Sequence, residues 1–192
     1  RRWKHPASVY GLSLSEDGKT AYTAAWKGEI QAWDVTQAKP LTSWSAHQQS
    51  ANALALSADQ MRMVSVGNDG RIKVWDRTSA QAPFTEKMTL EEVKGLQLTS
   101  VQITRDGGLV FAASQAGSAK LWKLATGQVV WDLKSSKSVS ATALSPDEKL
   151  LASGSSDGSI QVWDAQTGQL LQHYSHHRGQ INFLSFSPDV VG

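Results

Sequence analysis

His173, His176 and His177 stand three and four positions apart, a spacing at which imidazoles can chelate one metal ion. Nothing nearby completes a donor set, because the chain has no cysteine and no carboxylate lies close in sequence. The absence of cysteine also removes disulfides, thiolate ligands and thiol nucleophiles from consideration. Aspartates recur along the chain at Asp17, Asp59, Asp106, Asp147 and Asp189, which would suit a ring of acids. Repetition argues instead for local hydrogen bonding in turns. Serines are abundant, but there is no Gly-x-Ser-x-Gly elbow to activate one, and no Gly-x-Gly-x-x-Gly loop to cradle a phosphate. No constellation here supports catalysis, a metal or a cofactor.

The elements that carry these residues are set by a repeat. Trp33, Trp75, Trp122 and Trp163 lie 42, 47 and 41 positions apart. The five aspartates, each two after a Ser or Thr, are spaced 42, 47, 41 and 42. Both series lengthen together, so five extra residues enter once, between Trp75 and Asp106. A period of 40 to 45 residues marks a repeat architecture. The segments ending at each tryptophan alternate, as in Ile72-Lys73-Val74-Trp75 and Ile160-Gln161-Val162-Trp163, which is strand periodicity. Asp69-Gly70 and Asp157-Gly158 open two of them with tight-turn pairs. Two β-prone runs precede each such segment and one follows, and Phe183-Leu184-Ser185-Phe186 reads as the first strand of a further unit. No segment has a helical period. Four short antiparallel strands per repeat are expected, forming propeller blades.

The pairs Trp33-Asp34, Trp75-Asp76 and Trp163-Asp164, with Ser145-Pro146-Asp147 and Ser155-Ser156-Asp157-Gly158, closely resemble the WD repeat. The resemblance spans essentially the whole chain and implies an all-β fold of four four-stranded blades and the first strand of a fifth, part of a larger propeller. The approximate repeats are 5–46, 47–93, 94–134 and 135–176, with a partial unit over 177–192. It also implies a hydrogen-bonded tetrad of His, Ser or Thr, Asp and Trp in each blade. Only the second blade is complete, with His47, Ser65, Asp69 and Trp75. The fourth keeps Ser153, Asp157 and Trp163 but has Ser135 in the His position. The first has His5, Thr23 and Trp33, with Lys27 in place of Asp. The third keeps only Trp122, beside Lys94, Ala112 and Ala116. His177 falls at the His position of the fifth unit, 12 residues before Asp189, which absorbs it into the repeat.

The resemblance implies a scaffold that binds proteins or peptides on one face and performs no chemistry of its own. Two alternatives stand beside it: a structural subunit of a larger complex, and a propeller accompanying a catalytic or haem domain elsewhere in a longer chain. The residue before the turn Asp faces partners in such propellers. That position holds Trp26 in the first blade and Asn68, Gln115 and Ser156 in the others. A tryptophan among polar counterparts is a candidate anchor; packing against a neighbouring loop is the alternative. Lys27 and the loop Glu91-Glu92-Val93-Lys94 are lesser candidates, with the inserted residues expected on the same face. Trp44, Tyr174 and Trp131 are expected to pack in outer strands.

The 19 basic and 17 acidic side chains, net +2, are interspersed, giving no reason to expect nucleic acid or an anionic membrane. Charged or polar residues interrupt every apolar run. Cytosol and periplasm both fit a cysteine-free chain. An arc of four blades leaves two open sides, so the missing blades are expected from a longer polypeptide or from a second copy.

Overall fold

In the computed structural model, residues 4–91, 96–134 and 137–187 are described. They form four antiparallel four-stranded meanders. The first blade comprises β1 (Val9–Leu14), β2 (Thr20–Ala25), β3 (Glu29–Asp34) and β4 (Lys39–Ser45). The second has β5 (Ala51–Leu56), β6 (Arg62–Gly67), β7 (Arg71–Asp76) and β8 (Thr85–Glu91). The third has β9 (Leu98–Ile103), β10 (Leu109–Ser114), β11 (Ser118–Lys123) and β12 (Gln128–Lys134). The fourth has β13 (Val139–Leu144), β14 (Leu150–Ser155), β15 (Ile160–Asp164) and β16 (Leu170–Tyr174). Among the described residues the only helical turn is Trp26–Gly28.

The core lies between the blades. One cluster joins Tyr22, Ala24, Ile30 and Ala32 of the first blade to Leu54, Met63 and Trp75 of the second. A second sets Val64, Ile72 and Val74 against Val101, Val110 and Trp122. A third sets Phe111, Ala113 and Leu121 against Val139 and Leu151. Period-two alternation therefore gives every blade two apolar faces, one per neighbour. The outer-strand aromatics span the same junctions. Trp44 meets Trp75 edge-on at 6.0 Å, and Trp131 lies 5.5 Å from Phe111 while its indole N–H donates to the Ala165 carbonyl at 3.1 Å. Tyr174, opposite Ile160 as Trp44 is opposite Ile30, is exposed.

Each innermost strand carries a bulge, with Tyr10, Asn52, Thr99 and Ser140 as the extra residues. Three of these bulges clasp the next blade. Asn52 Nδ2 donates to the Leu98 carbonyl at 2.7 Å, Thr99 Oγ1 to that of Val139 at 2.6 Å, and Ser140 Oγ to that of Ile181 at 2.6 Å.

The last clasp locates the fifth unit. Ile181 N donates to the Ser155 carbonyl, and the Ile181 side chain lies over Gly154. Residues 181–187 nevertheless form no strand, contrary to the expected first strand of a fifth blade. A ladder needs a second strand on its far side, and none is present among the described residues. The opposite flank is bare as well. Leu12 is 59% exposed, whereas its register equivalents Leu54, Val101 and Thr142 are 7%, 2% and 5% exposed beneath the preceding blade.

Candidate partner-binding face

The turns between second and third strands all emerge at one end of the blades. One backbone bond proves their equivalence: Trp26 N to the Ser8 carbonyl, Asn68 N to Ser50, Gln115 N to Gln97 and Ser156 N to Ser138, all at 2.8–3.0 Å. Trp26 is 52% exposed. It stands between a concavity of about 700 Å³ bordered by Pro6, Tyr10 and Glu29 and one of about 300 Å³ bordered by Gln48, Gln49 and Asn68. Lys27, Gln115 and Ser156 are exposed. Asn68 is half-buried, and its Oδ1 accepts a bond from Asn52 Nδ2 at 2.6 Å, which ties it into the blade junction.

Lys27 adopts φ 69° and Gly28 φ 79°. Consecutive left-handed residues tighten this turn, and for lysine that geometry is strained. Gly28 has no substitute, since a Cβ there would lie 1.9 Å from the His47 carbonyl oxygen. That oxygen belongs to the loop entering the second blade, so the Trp26 turn is braced against its neighbour.

Beneath this face the four side chains of the second blade meet. His47 Nδ1 lies 2.9 Å from Asp69 Oδ1 and His47 Nε2 lies 2.9 Å from Ser65 Oγ, which accepts the Trp75 indole N–H at 3.0 Å. Asp69 also accepts Gln48 N at 3.0 Å and Arg71 N at 3.3 Å. Burial pushes the Asp69 carboxyl up, but the bond and charge of His47 and the two backbone donors hold it below the usual aspartate value. In the first blade Trp33 donates to Thr23 Oγ1 and His5 Nε2 lies 3.2 Å from it. With Lys27 in the Asp position, His5 Nδ1 meets the Ala7 backbone instead. In the fourth, Trp163 bonds Ser153 Oγ at 2.9 Å, while Asp157 is exposed and caps its own turn through Ser159 N and Oγ. Trp122 is buried. Lys94 and Ser135, like Asp189, lie outside the described residues.

The other end of the blades absorbs the periodic carboxylates. Asp17, Asp59, Asp106 and Asp147 each accept the hydroxyl of the Ser or Thr two residues earlier, at 2.6–2.7 Å, and a backbone N–H two residues later. The hydroxyl bond is the main reason that all four carboxyls sit below the ordinary aspartate range. Asp34 and Asp164 cap the turns after the third strands through Thr36 and Thr167. Asp76 instead grips the Arg62 guanidinium through two bonds of 2.7 and 2.8 Å. His173, His176 and His177 are exposed.

The inserted residues were expected on the Trp26 face, and the structure corrects this. The β7–β8 connection spans residues 77–84, against 35–38 and 124–127 in the first and third blades. Most of the insertion therefore emerges at the opposite end, because third-to-fourth-strand turns point away from second-to-third ones. Glu91 ends β8, and Glu92, Val93 and Lys94 lie outside the described residues. Sequence reasoning passed over the clasp residues Asn52, Thr99 and Ser140, whose signal is one extra residue interrupting the alternation of each innermost strand.

These meanders, packed face to face around their innermost strands, are blades of a β-propeller arc. A family profile for the anaphase-promoting complex subunit 4 WD40 domain matches residues 108–189, and one for the WD domain, G-beta repeat, matches residues 38–76. Both profiles describe WD repeats, and over the matched residues the chain is similar to the WD-repeat family. Domains of this family generally mediate protein–protein interaction or scaffolding and are typically non-catalytic. No curated protein matches the chain. No helix among the described residues is long and apolar enough to cross a membrane.

Proposed function

We propose that the chain is a binding platform for a partner protein or peptide, seated on the end of the arc that carries Trp26, with no chemistry of its own. Trp26 carries the reading. It is a large aromatic, half exposed, at a backbone position whose equivalents are Asn68, Gln115 and Ser156. Blade packing does not require an indole there, and exposed aromatics beside concavities concentrate binding energy. Lys27 adds a cation to the rim, and the braced Gly28 turn holds both side chains without the ordering cost that a loose loop would incur.

The test is capture of partners from the native source, followed by hydrogen exchange of the complex. The expected result is protection of residues 26–28 and 47–50. Protection confined to the opposite turns, such as 15–19 and 145–149, would contradict the proposal.

The flanks suit a second kind of contact. Leu12 and Leu14 are exposed on one side and Leu170, Tyr174 and Phe183 on the other, a pattern that further blades would bury, supplied by the same polypeptide or by a second copy. A second reading, a structural subunit of an assembly, draws on the profile matching 108–189, whose name places that domain in a complex. The native mass of the captured material distinguishes the two.

A further inference from the structure

In the second, third and fourth blades the residue following the third strand is held by the same backbone bond: Arg77 N to Met61, Leu124 N to Gly108 and Ala165 N to Lys149. Each faces the crevice toward the preceding blade. Between the first and second blades Arg77 fills it, bonding the Gln60 carbonyl at 2.6 Å and the Tyr22 hydroxyl at 3.2 Å, with its guanidinium 4.8 Å from the Phe84 ring. Between the second and third blades Leu124 is the plug, 5% exposed within the core. Between the third and fourth the residue is alanine, and a cavity of about 260 Å³ remains. Its walls include Phe111, Leu121, Trp131 and Leu144. The acidic groups Asp147 and Glu148 stand at the rim with one ammonium, Lys149, whose Nζ is 3.7 Å from Asp147. A dry cavity of about 150 Å³ already admits benzene, so this one has room for a long side chain.

We propose that this crevice is a docking pocket for an arginine side chain of a partner protein. Phe111 stands where Tyr22 stands, and Glu148 where Gln60 stands, in the crevice that Arg77 fills. An incoming arginine lays its aliphatic stem along Leu144 and its guanidinium against the aromatic walls, as Arg77 does over Phe84. The two rim carboxylates against one ammonium favour a cation. The pocket opens among the turns opposite the Trp26 face, so it does not depend on that face being the partner surface.

The experiment is an NMR titration of the 192-residue chain with acetyl-arginine amide to about 20 mM, a range suited to single-side-chain affinities. The Trp131 indole N–H and the amides of residues 144–149 are expected to shift saturably. Acetyl-citrulline amide, the same shape without charge, is expected to bind at least about fivefold more weakly. Ala165→Arg abolishes the shifts and raises the melting temperature by about 2 °C by filling the cavity. Trp26→Ala leaves them unchanged, which separates this pocket from the other face. Absence of saturation, equal binding of citrulline, or persistence of the shifts in Ala165→Arg would overturn the proposal. If Ala165→Arg fails to fold, Ala165→Leu, the plug that Leu124 supplies elsewhere, gives the same decision.

Discussion

Asp69→Ala removes the acceptor at the centre of the one complete network, and its cost follows from what it leaves behind. His47 is 3% exposed, and its Nδ1 has Asp69 as its partner at 2.9 Å. Without the carboxylate a buried ring nitrogen is stranded, at about 1–3 kcal/mol. The amides of Gln48 and Arg71 also lose their acceptor, but they sit near solvent and water replaces much of that. The net expectation is about 2–3 kcal/mol. Asp59→Ala is the matched control, because Asp59 also accepts a hydroxyl and a backbone amide in a tight turn. There the side chain is exposed and Ser57 Oγ still accepts Arg62 N, so about 1 kcal/mol or less is expected. Urea denaturation of both variants against the wild type reads the difference. Equal midpoints would refute the reasoning that burial of the histidine, not the turn itself, sets the cost.

The acid limb of stability carries a second signature of Asp69. Its carboxyl is held below the unfolded value near 4, so the stabilisation is complete above that pH and is lost as pH falls through the folded value. Asp69→Ala should therefore flatten the stability profile below about pH 5, measured by denaturation at a series of pH values. Gly28→Ala is expected to cost about 3 kcal/mol or more, since its Cβ would collide with the His47 carbonyl. Gly18→Ala, at a similar φ with nothing within 4 Å, should cost only about 1 kcal/mol of left-handed strain; equal melting shifts would contradict the bracing argument. Lys27→Gly relieves strain at φ 69° and should stabilise by about 0.5 kcal/mol. Sedimentation of the full chain at micromolar concentration should show association that Leu12→Asp weakens; a monomer unaffected by that change would mean the flank is not adhesive.

The repeat made most of the fold legible. Tryptophans and Ser/Thr-x-Asp turns at one period located the blades, because each blade needs the same indole, the same capped turn and the same alternation. The strand after Ser175 was misjudged for a physical reason: Phe183-Leu184-Ser185-Phe186 has the right pattern, but a strand exists only with a ladder partner, which pattern does not report. The insertion was misplaced because spacing fixes its length between Trp75 and Asp106 and not the end of the blade from which it rises. Arg77 lies in the β7–β8 connection, and only its three-dimensional equivalence with Leu124 and Ala165 reveals it as a plug. Asn68 read like its counterparts Gln115 and Ser156, whereas its bond to Asn52 is a long-range partnership that local sequence cannot show.

The platform reading is tested most directly at Trp26. Calorimetric titration of the captured partner against wild-type chain and Trp26→Ala measures affinity, and thermal melting of the same samples measures the fold. A half-exposed anchor should lose about 2 kcal/mol of binding on truncation, a roughly 30-fold rise in Kd, with the melting temperature nearly unchanged. An unchanged Kd together with a melting temperature lowered by several degrees would make Trp26 a packing residue and contradict the account.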